Sequence, residues 1–368
     1  MKRILKNLLF KFIFLVFAIV IFSSIIEFLF FLKETENNLD PLSYCIKKSD
    51  NPKIFYEFIP NTECDINGTK FKINSRGFRD YEYEIEKTNK TFRIVVLGDS
   101  YTFGWRLELN ETFTKILEKR LNIDNTKSLK YEVLNFGNPG YNTILEANLL
   151  EEKVFDYNPD LIIVAYTPGD PECYWDFCSR ELKKYTIKSF GSRELPISKE
   201  GFLQKSKFLL FLHRKYENLL YNLGIKNYSD SIIVKLHEKN SPTWIHVQDS
   251  FKNIAEISNK NNVPIFLVIF PELDLMIKPK KYLAFSMKKS NFEVYDKYPL
   301  NYIQEQIKEE GELNGFSVID ITPYFEEIDP FLLMVVPEVT EEGDDHPNAM
   351  GNNIVANVIY EYIKDIKD

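Results

Sequence analysis

The sequence predicts an α/β protein, a three-layer α/β/α sandwich around a central parallel sheet, preceded by one N-terminal transmembrane helix. Three observations lead there. From residue 91 onward, short continuous apolar runs alternate with amphipathic stretches, the pattern of strands buried on both faces by helices. An apolar segment of bilayer length opens the chain. The 368 residues are 44% hydrophobic and 27% charged, the balance of a folded chain long enough for one large or two ordinary domains.

The N-terminal segment sets the compartment. Lys2, Arg3, Lys6 and Lys11 precede an apolar stretch, Phe12–Leu32, interrupted only by Ser23, Ser24 and Glu27. Its 21 residues cross a hydrocarbon core of about 30 Å at about 1.5 Å per residue. Glu27 lies near the far end, within reach of the interface. No small-residue cleavage site follows, which favours a retained anchor over a cleaved signal. The basic flank places residues 1–11 in the cytoplasm and everything after residue 32 on the extracytoplasmic side. Residues 33–90 read as a juxtamembrane linker or small packed cap.

The main domain, residues 91–368, then follows strand by strand. Arg93–Leu97 is a β-branched run ending at Gly98, and Glu111–Leu121 has helical spacing. Tyr131–Asn135 is the next strand, Ile144–Phe155 a helix, and Leu161–Tyr166 an almost wholly apolar strand. Trp244, Val247, Phe251, Ile254 and Ala255 recur at helical spacing. Val263–Phe270 and Phe316–Ile321 are strands, and Asn348–Ile366 is a closing helix. Pro171–Ser241 breaks the rhythm and reads as an insertion; without it the domain has 207 residues. Inside it, Phe208, Leu209, Phe211, Leu212, Tyr216, Leu219, Leu220 and Leu223 form an apolar stripe suited to packing on the main domain, with a membrane surface as the alternative.

Charge and cysteine content narrow the function. With 46 basic and 54 acidic side chains the net charge is −8, which argues against nucleic acid as a partner. Four cysteines, at 45, 64, 173 and 178, lack zinc-type pairing. On the exported side Cys45–Cys64 and Cys173–Cys178 bridges are chemically allowed, as are four separate thiols. The sequons at Asn67, Asn89, Asn110 and Asn227 matter only in a host that glycosylates exported proteins.

Two short segments concentrate chemistry. Gly98-Asp99-Ser100-Tyr101-Thr102-Phe103-Gly104 follows the first strand, where a parallel sheet exposes its ligand edge. A serine there serves as a nucleophile if a base reaches it. Residue 102 is Thr, so the segment departs from the Gly-x-Ser-x-Gly elbow. Near the C-terminus, Gly343-Asp344-Asp345-His346-Pro347-Asn348 places an imidazole beside two carboxylates just before the last helix. Of the four histidines, His213 and His237 lie in the insertion and His246 beside a helical apolar stripe, so all three read as surface or packing residues. His346 has the setting of a general base, though Asp344 and Asp345 are also suited to capping the helix.

Together these segments resemble the SGNH (GDSL) hydrolase superfamily over residues 91–368. The resemblance implies Ser100 as nucleophile in the first block and Gly140, within Asn135-Phe-Gly137-Asn138-Pro139-Gly140-Tyr141-Asn142-Thr143, as the oxyanion-hole glycine. It implies His346 as base within Asp-x-His-Pro-Asn, with Asp344 orienting it and Asp345 as the alternative acid. Asn74-Ser-Arg76-Gly77-Phe78-Arg79-Asp80 is similar to the segment that precedes the domain in membrane-anchored relatives. The third block departs from the family: Thr167-Pro168-Gly169-Asp170-Pro171 has Gly169 where an oxyanion-binding asparagine is expected. Loss of one such donor costs about 2.7–4 kcal/mol. An ionised Asp170 would repel the oxyanion rather than replace that donor.

The function this implies is an anchored esterase acting on an acylated envelope polysaccharide or lipid, with Ser100 and Gly140 backbone N–H groups binding the oxyanion. An acyltransferase differs only in its acceptor. A catalytically inactive member binding glycan or a partner protein is the alternative from another class. No metal or organic cofactor is implied, and H-E-x-x-H, Walker A and G-x-G-x-x-G fingerprints are absent from the sequence. An imidazole base titrating in the ordinary range gives an activity that falls below about pH 6. A pH–rate profile checks this, and a rate flat down to about pH 4 excludes His346 as base.

Overall fold

The computed structural model describes residues 44–66, 68–123, 129–171, 232–271, 301–326, 328, 332–335 and 346–366, with isolated helical positions at Lys11, Phe14, Phe22, Ile25 and Tyr216. These isolated positions belong to one compact unit, Met1–Asp40 with Ser192–Lys226; the other described residues belong to a second, Pro41–Gly191 with Asn227–Asp368. Apart from the isolated positions, the anchor expected over Phe12–Leu32 lies outside the described residues, as does most of the insertion. Among the described residues, no helix is long and apolar enough to cross a membrane.

The second unit opens with two antiparallel hairpins, β1 (Ile46–Lys48) with β2 (Tyr56–Phe58) and β3 (Glu63–Ile66) with β4 (Thr69–Lys72). A Cys45–Cys64 disulfide joins them. Cys173 and Cys178 lie outside the described residues. The main sheet follows: β5 (Thr91–Gly98), β6 (Lys130–Gly137), β7 (Leu161–Tyr166), β8 (Ile265–Ile269) and β9 (Ser317–Asp320). These five strands are parallel throughout, in the order β6-β5-β7-β8-β9. The order reverses beside β5, so its carboxyl end opens at the crevice where open α/β sheets bind ligands.

The alternation of side chains along each strand builds two cores. Val95 and Leu97 of β5 and Ile162, Val164 and Tyr166 of β7 face one side. There they meet α3 (Thr143–Glu152), α5 (Pro242–Asn261) and α6 (Tyr302–Leu313), chiefly through Leu145, Leu149, Trp244, Val247, Phe251 and Ile307. Ile94, Val96, Leu161 and Ile163 face the other side, against α2 (Phe113–Ile123), α7 (Thr322–Glu326) and α8 (Ala349–Ile363). Every residue of β7 is buried, which accounts for its unbroken apolar run. At about 1.5–3 kcal/mol per buried large aliphatic side chain, these two cores supply the dominant stabilisation.

The boundaries shift from the sequence expectation for local reasons. Glu108 and Glu111 close a capping box around a 3₁₀ turn, Leu109–Glu111, so α2 starts at Phe113 rather than at Glu111. The helix expected over Ile144–Phe155 divides: α3 ends at Glu152, and a 3₁₀ turn, Val154–Tyr157, stops at left-handed Asn158. Asn348 is the N-cap of α8, accepting from the Met350 and Gly351 N–H groups at 3.0 and 3.1 Å. The described end of the insertion, α4 (Ile232–Leu236) with His237, is core material. Val234, Leu236 and His237 are fully buried, and the Tyr166 hydroxyl lies 3.0 Å from His237 Nε2.

Candidate active site

Ser100 opens a one-turn helix, α1 (Ser100–Phe103), at the end of β5. The Asp99 carboxylate caps that turn by accepting the Tyr101 N–H at 2.8 Å. The turn sits so close to the sheet that a Cβ on Gly137, at the end of β6, would come within 2.2 Å of the Phe103 nitrogen. The far end of α1 is held by the buried Arg79 guanidinium, which donates to Phe103 O at 2.8 Å and Gly104 O at 2.5 Å, and also to Leu107 O. Burial lowers the Arg79 pKa to about 10, so it remains charged at neutral pH and faces the negative end of α1. The segment Asn74–Asp80 is thus built into the site through Arg79.

The loop carrying Gly140 lies against the same strand end. Asn138 N–H donates to Gly98 O at 3.0 Å, and Gly140 adopts φ +75°, a left-handed backbone that favours glycine. A reciprocal pair of bonds from the first hairpin holds the loop. Tyr56 Oη donates to Pro139 O at 2.7 Å, and Tyr141 Oη donates to Tyr56 O at 2.6 Å. The Asn138 amide donates to Phe136 O at 3.1 Å.

His346 arrives from the other end of the chain. Pro347 forms an antiparallel bridge with Met334, Val335 N–H donates to His346 O at 2.8 Å, and Asn348 N–H donates to Leu333 O at 2.8 Å. Buried Asn352 ties this segment to α2, accepting the Phe113 N–H and donating to Pro347 O, both at 2.9 Å. Held in this way, His346 Nε2 lies 2.7 Å from Ser100 Oγ, across 246 residues of sequence. Tyr101 and Trp105 pack on the imidazole, with ring centroids 5.1 and 5.8 Å away. Asp344 and Asp345 lie outside the described residues.

The loop after β7, Thr167–Pro171, supplies the remaining polar groups. Thr167 Oγ1 lies 3.2 Å from Asp99 Oδ2 and 2.9 Å from Asp170 Oδ1, while Thr167 N–H donates to Asp170 Oδ2 at 3.0 Å. Gly169 is half-buried on this loop. The ionised Asp170 considered from the sequence does not match its surroundings. Burial, then the Glu146 and Asp99 charges, hold its carboxyl well above the usual carboxylate range. Glu146, in the first turn of α3, is raised likewise by burial and then by Asp99. Sequence reasoning passed over Glu146 and Tyr56, since neither belongs to a motif, and gave Thr167 no role of its own within the third block. His237 is buried against Tyr166 and Trp244, His246 is buried on α5, and burial lowers the pKa of each to about 4. Among the described residues, no cluster of His, Cys, Asp or Glu is arranged to hold a metal ion.

No protein-family model and no curated protein matches this chain. Among solved structures, the chain is similar to an acetyl xylan esterase, AlAXEase, at 14% identity and TM-score 0.39, over 74% of this chain and 100% of that one. A lipolytic protein of the G-D-S-L family from Desulfitobacterium hafniense DCB-2 aligns at 13% identity and TM-score 0.37, over 73% and 98% of the two chains. The lipase/acylhydrolase from Enterococcus faecalis aligns at 13% identity and TM-score 0.39, over 74% and 95%.

Proposed function

We propose that this chain is a membrane-anchored serine ester hydrolase of the SGNH type, acting outside the cytoplasm on an acylated envelope polysaccharide or lipid. The observation that carries the reading is the 2.7 Å contact between Ser100 Oγ and His346 Nε2 at the carboxyl end of β5. A hydroxyl at that distance from a neutral imidazole nitrogen is ready to give up its proton as it attacks.

In this mechanism Ser100 Oγ adds to the ester carbonyl while His346 takes its proton. The oxyanion is met by backbone N–H groups of Ser100 and Gly140. Collapse breaks the ester C–O bond, His346 returns the proton to the leaving alcohol, and the acyl group stays on Ser100. Water, activated by the same imidazole, then releases the acid. Asp344 orients the imidazole in this scheme, with Asp345 as the alternative acid. Trp105, stacked on His346 beside the half-buried Ser100, offers an aromatic face suited to a sugar ring. Transfer to a sugar hydroxyl uses the same steps with a different acceptor.

A fluorophosphonate probe tests the proposal. Wild type labels covalently and Ser100→Ala does not; failure of well-folded wild type to label overturns the hydrolase reading in favour of a binding role. Acetyl release from a model ester is then followed with and without a sugar acceptor. Turnover that requires the acceptor identifies a transferase.

A further inference from the structure

Thr167 Oγ1 stands between two carboxyl groups, 3.2 Å from Asp99 Oδ2 and 2.9 Å from Asp170 Oδ1. A hydroxyl carries one hydrogen and donates to one acceptor at a time. If both acids were ionised, one carboxylate oxygen would face the hydroxyl's lone pairs, an arrangement that a proton on one of the acids relieves. Asp170 is the one: it is 2% exposed, whereas Asp99 is half-buried. Its Oδ2 already accepts the Thr167 N–H, which leaves Oδ1 for the hydrogen. Asp99, by contrast, accepts the Tyr101 N–H at the start of α1, a place that favours an anion.

We infer that Asp170 is a proton-holding positioning residue: its Oδ1–H donates to Thr167 Oγ1, Thr167 donates to Asp99 Oδ2, and this relay braces the turn that presents Ser100. Its positioning role rests on the hydrolase reading; the location of the proton does not. The groups facing Asp170 favour the neutral form. Asp99 approaches from the β5–α1 turn and Glu146 from α3. Among the described residues, neither oxygen of Glu146 has a hydrogen-bond partner, and the residue is fully buried. Tyr166 on β7 completes the surroundings, its hydroxyl engaged with His237. Because the Asp170 proton is committed to Thr167, it is not available to an oxyanion. Ionisation of Asp170 would leave two carboxylates facing one hydroxyl hydrogen and release the loop from Asp99.

The test compares Asp170→Asn with Asp170→Ala in the full chain. An asparagine amide donates to Thr167 Oγ1 while its carbonyl accepts the Thr167 N–H, reproducing the protonated acid; alanine does neither. The first readout is thermal unfolding from about pH 5 to 9. A native carboxyl raised above its unfolded value binds a proton that the unfolded chain has released, so wild-type stability falls as pH rises through that window. Asparagine has no such proton, so the Tm of Asp170→Asn relative to wild type climbs with pH. A difference that is flat or shrinks with pH overturns the proton assignment. The second readout is fluorophosphonate labelling, expected at least tenfold faster for Asp170→Asn than for Asp170→Ala. Equal rates in the two overturn the positioning role. If Asp170→Ala does not fold, Thr167→Ser against Thr167→Val makes the same comparison, with faster labelling expected for serine and equal rates again adverse. Should wild type not label at all, the hydrolase reading and the positioning role fail together, while the melting series still decides where the proton lies.

Discussion

On the proposed hydrolase mechanism, replacing His346 by alanine is expected to lower ester turnover by about 10⁴- to 10⁶-fold, and adding Ser100→Ala to that variant to lower it no further. The reason is geometric. A serine hydroxyl is a weak nucleophile at neutral pH, and its use depends on proton removal in the same step as attack. His346 Nε2 lies 2.7 Å from Ser100 Oγ, so the two side chains form one working unit. Loss of either leaves only binding and backbone oxyanion contacts, which is why the double variant should match the singles. Steady-state hydrolysis of an activated acetyl ester, normalised by titration of labelled sites, measures all three. Single effects that multiply in the double variant mean that Ser100 and His346 act independently, and the mechanism above fails.

The second large effect is on stability. Lys115→Met is expected to cost about 3–5 kcal/mol, read from denaturant unfolding at pH 7. Lys115 Nζ lies 2.6 Å from Asp80 Oδ1, with side chains 1% and 2% exposed, and also donates to Tyr83 Oη at 2.8 Å and Val133 O at 2.5 Å. Its removal strands Asp80, whose other oxygen accepts the Asn135 N–H at 2.6 Å. The sign of the pH dependence follows from Asp80, raised to about 6 by burial against the opposing pull of Lys115. Between about pH 4 and 6 the native state binds a proton that the unfolded chain has released, so this group makes stability fall as pH rises through that window. Without Lys115 the native pKa rises further and the window widens upward. The Lys115→Met deficit therefore grows from pH 5 to pH 8. A deficit independent of pH would show that the ion pair is not its source. Replacing Asp80 and Lys115 together by apolar residues of similar volume should recover much of the loss, since no buried charge is then left unpaired.

Much of this architecture is written in local pattern. Leu161–Tyr166 reads as a doubly covered strand because all six of its residues are buried. Trp244, Val247, Phe251 and Ile254 read as one helix face because they pack against one side of the sheet. Ser100 at a strand end and His346 before the last helix were also legible, since each stands in a short motif with its own chemical logic. Helix ends were less so. Residues 108–112 and 153–158 close into 3₁₀ turns through caps and left-handed residues that apolar periodicity does not register.

The amino-acid order alone thus determined the layered α/β class and the nucleophile and base candidates, because burial period and motif chemistry are local properties. Only the folded chain decided that Arg79 clamps the serine turn, that Tyr56 holds the Gly140 loop, and that Asp170, Thr167, Asp99 and Glu146 come together. Those groups come from positions distant in sequence, and no pattern within a window reveals which will meet. The state of Asp170 shows why this matters. From the sequence, an ionised Asp170 reads as a group that repels the oxyanion; buried beside Glu146 and Asp99, its carboxyl is pushed toward the neutral form.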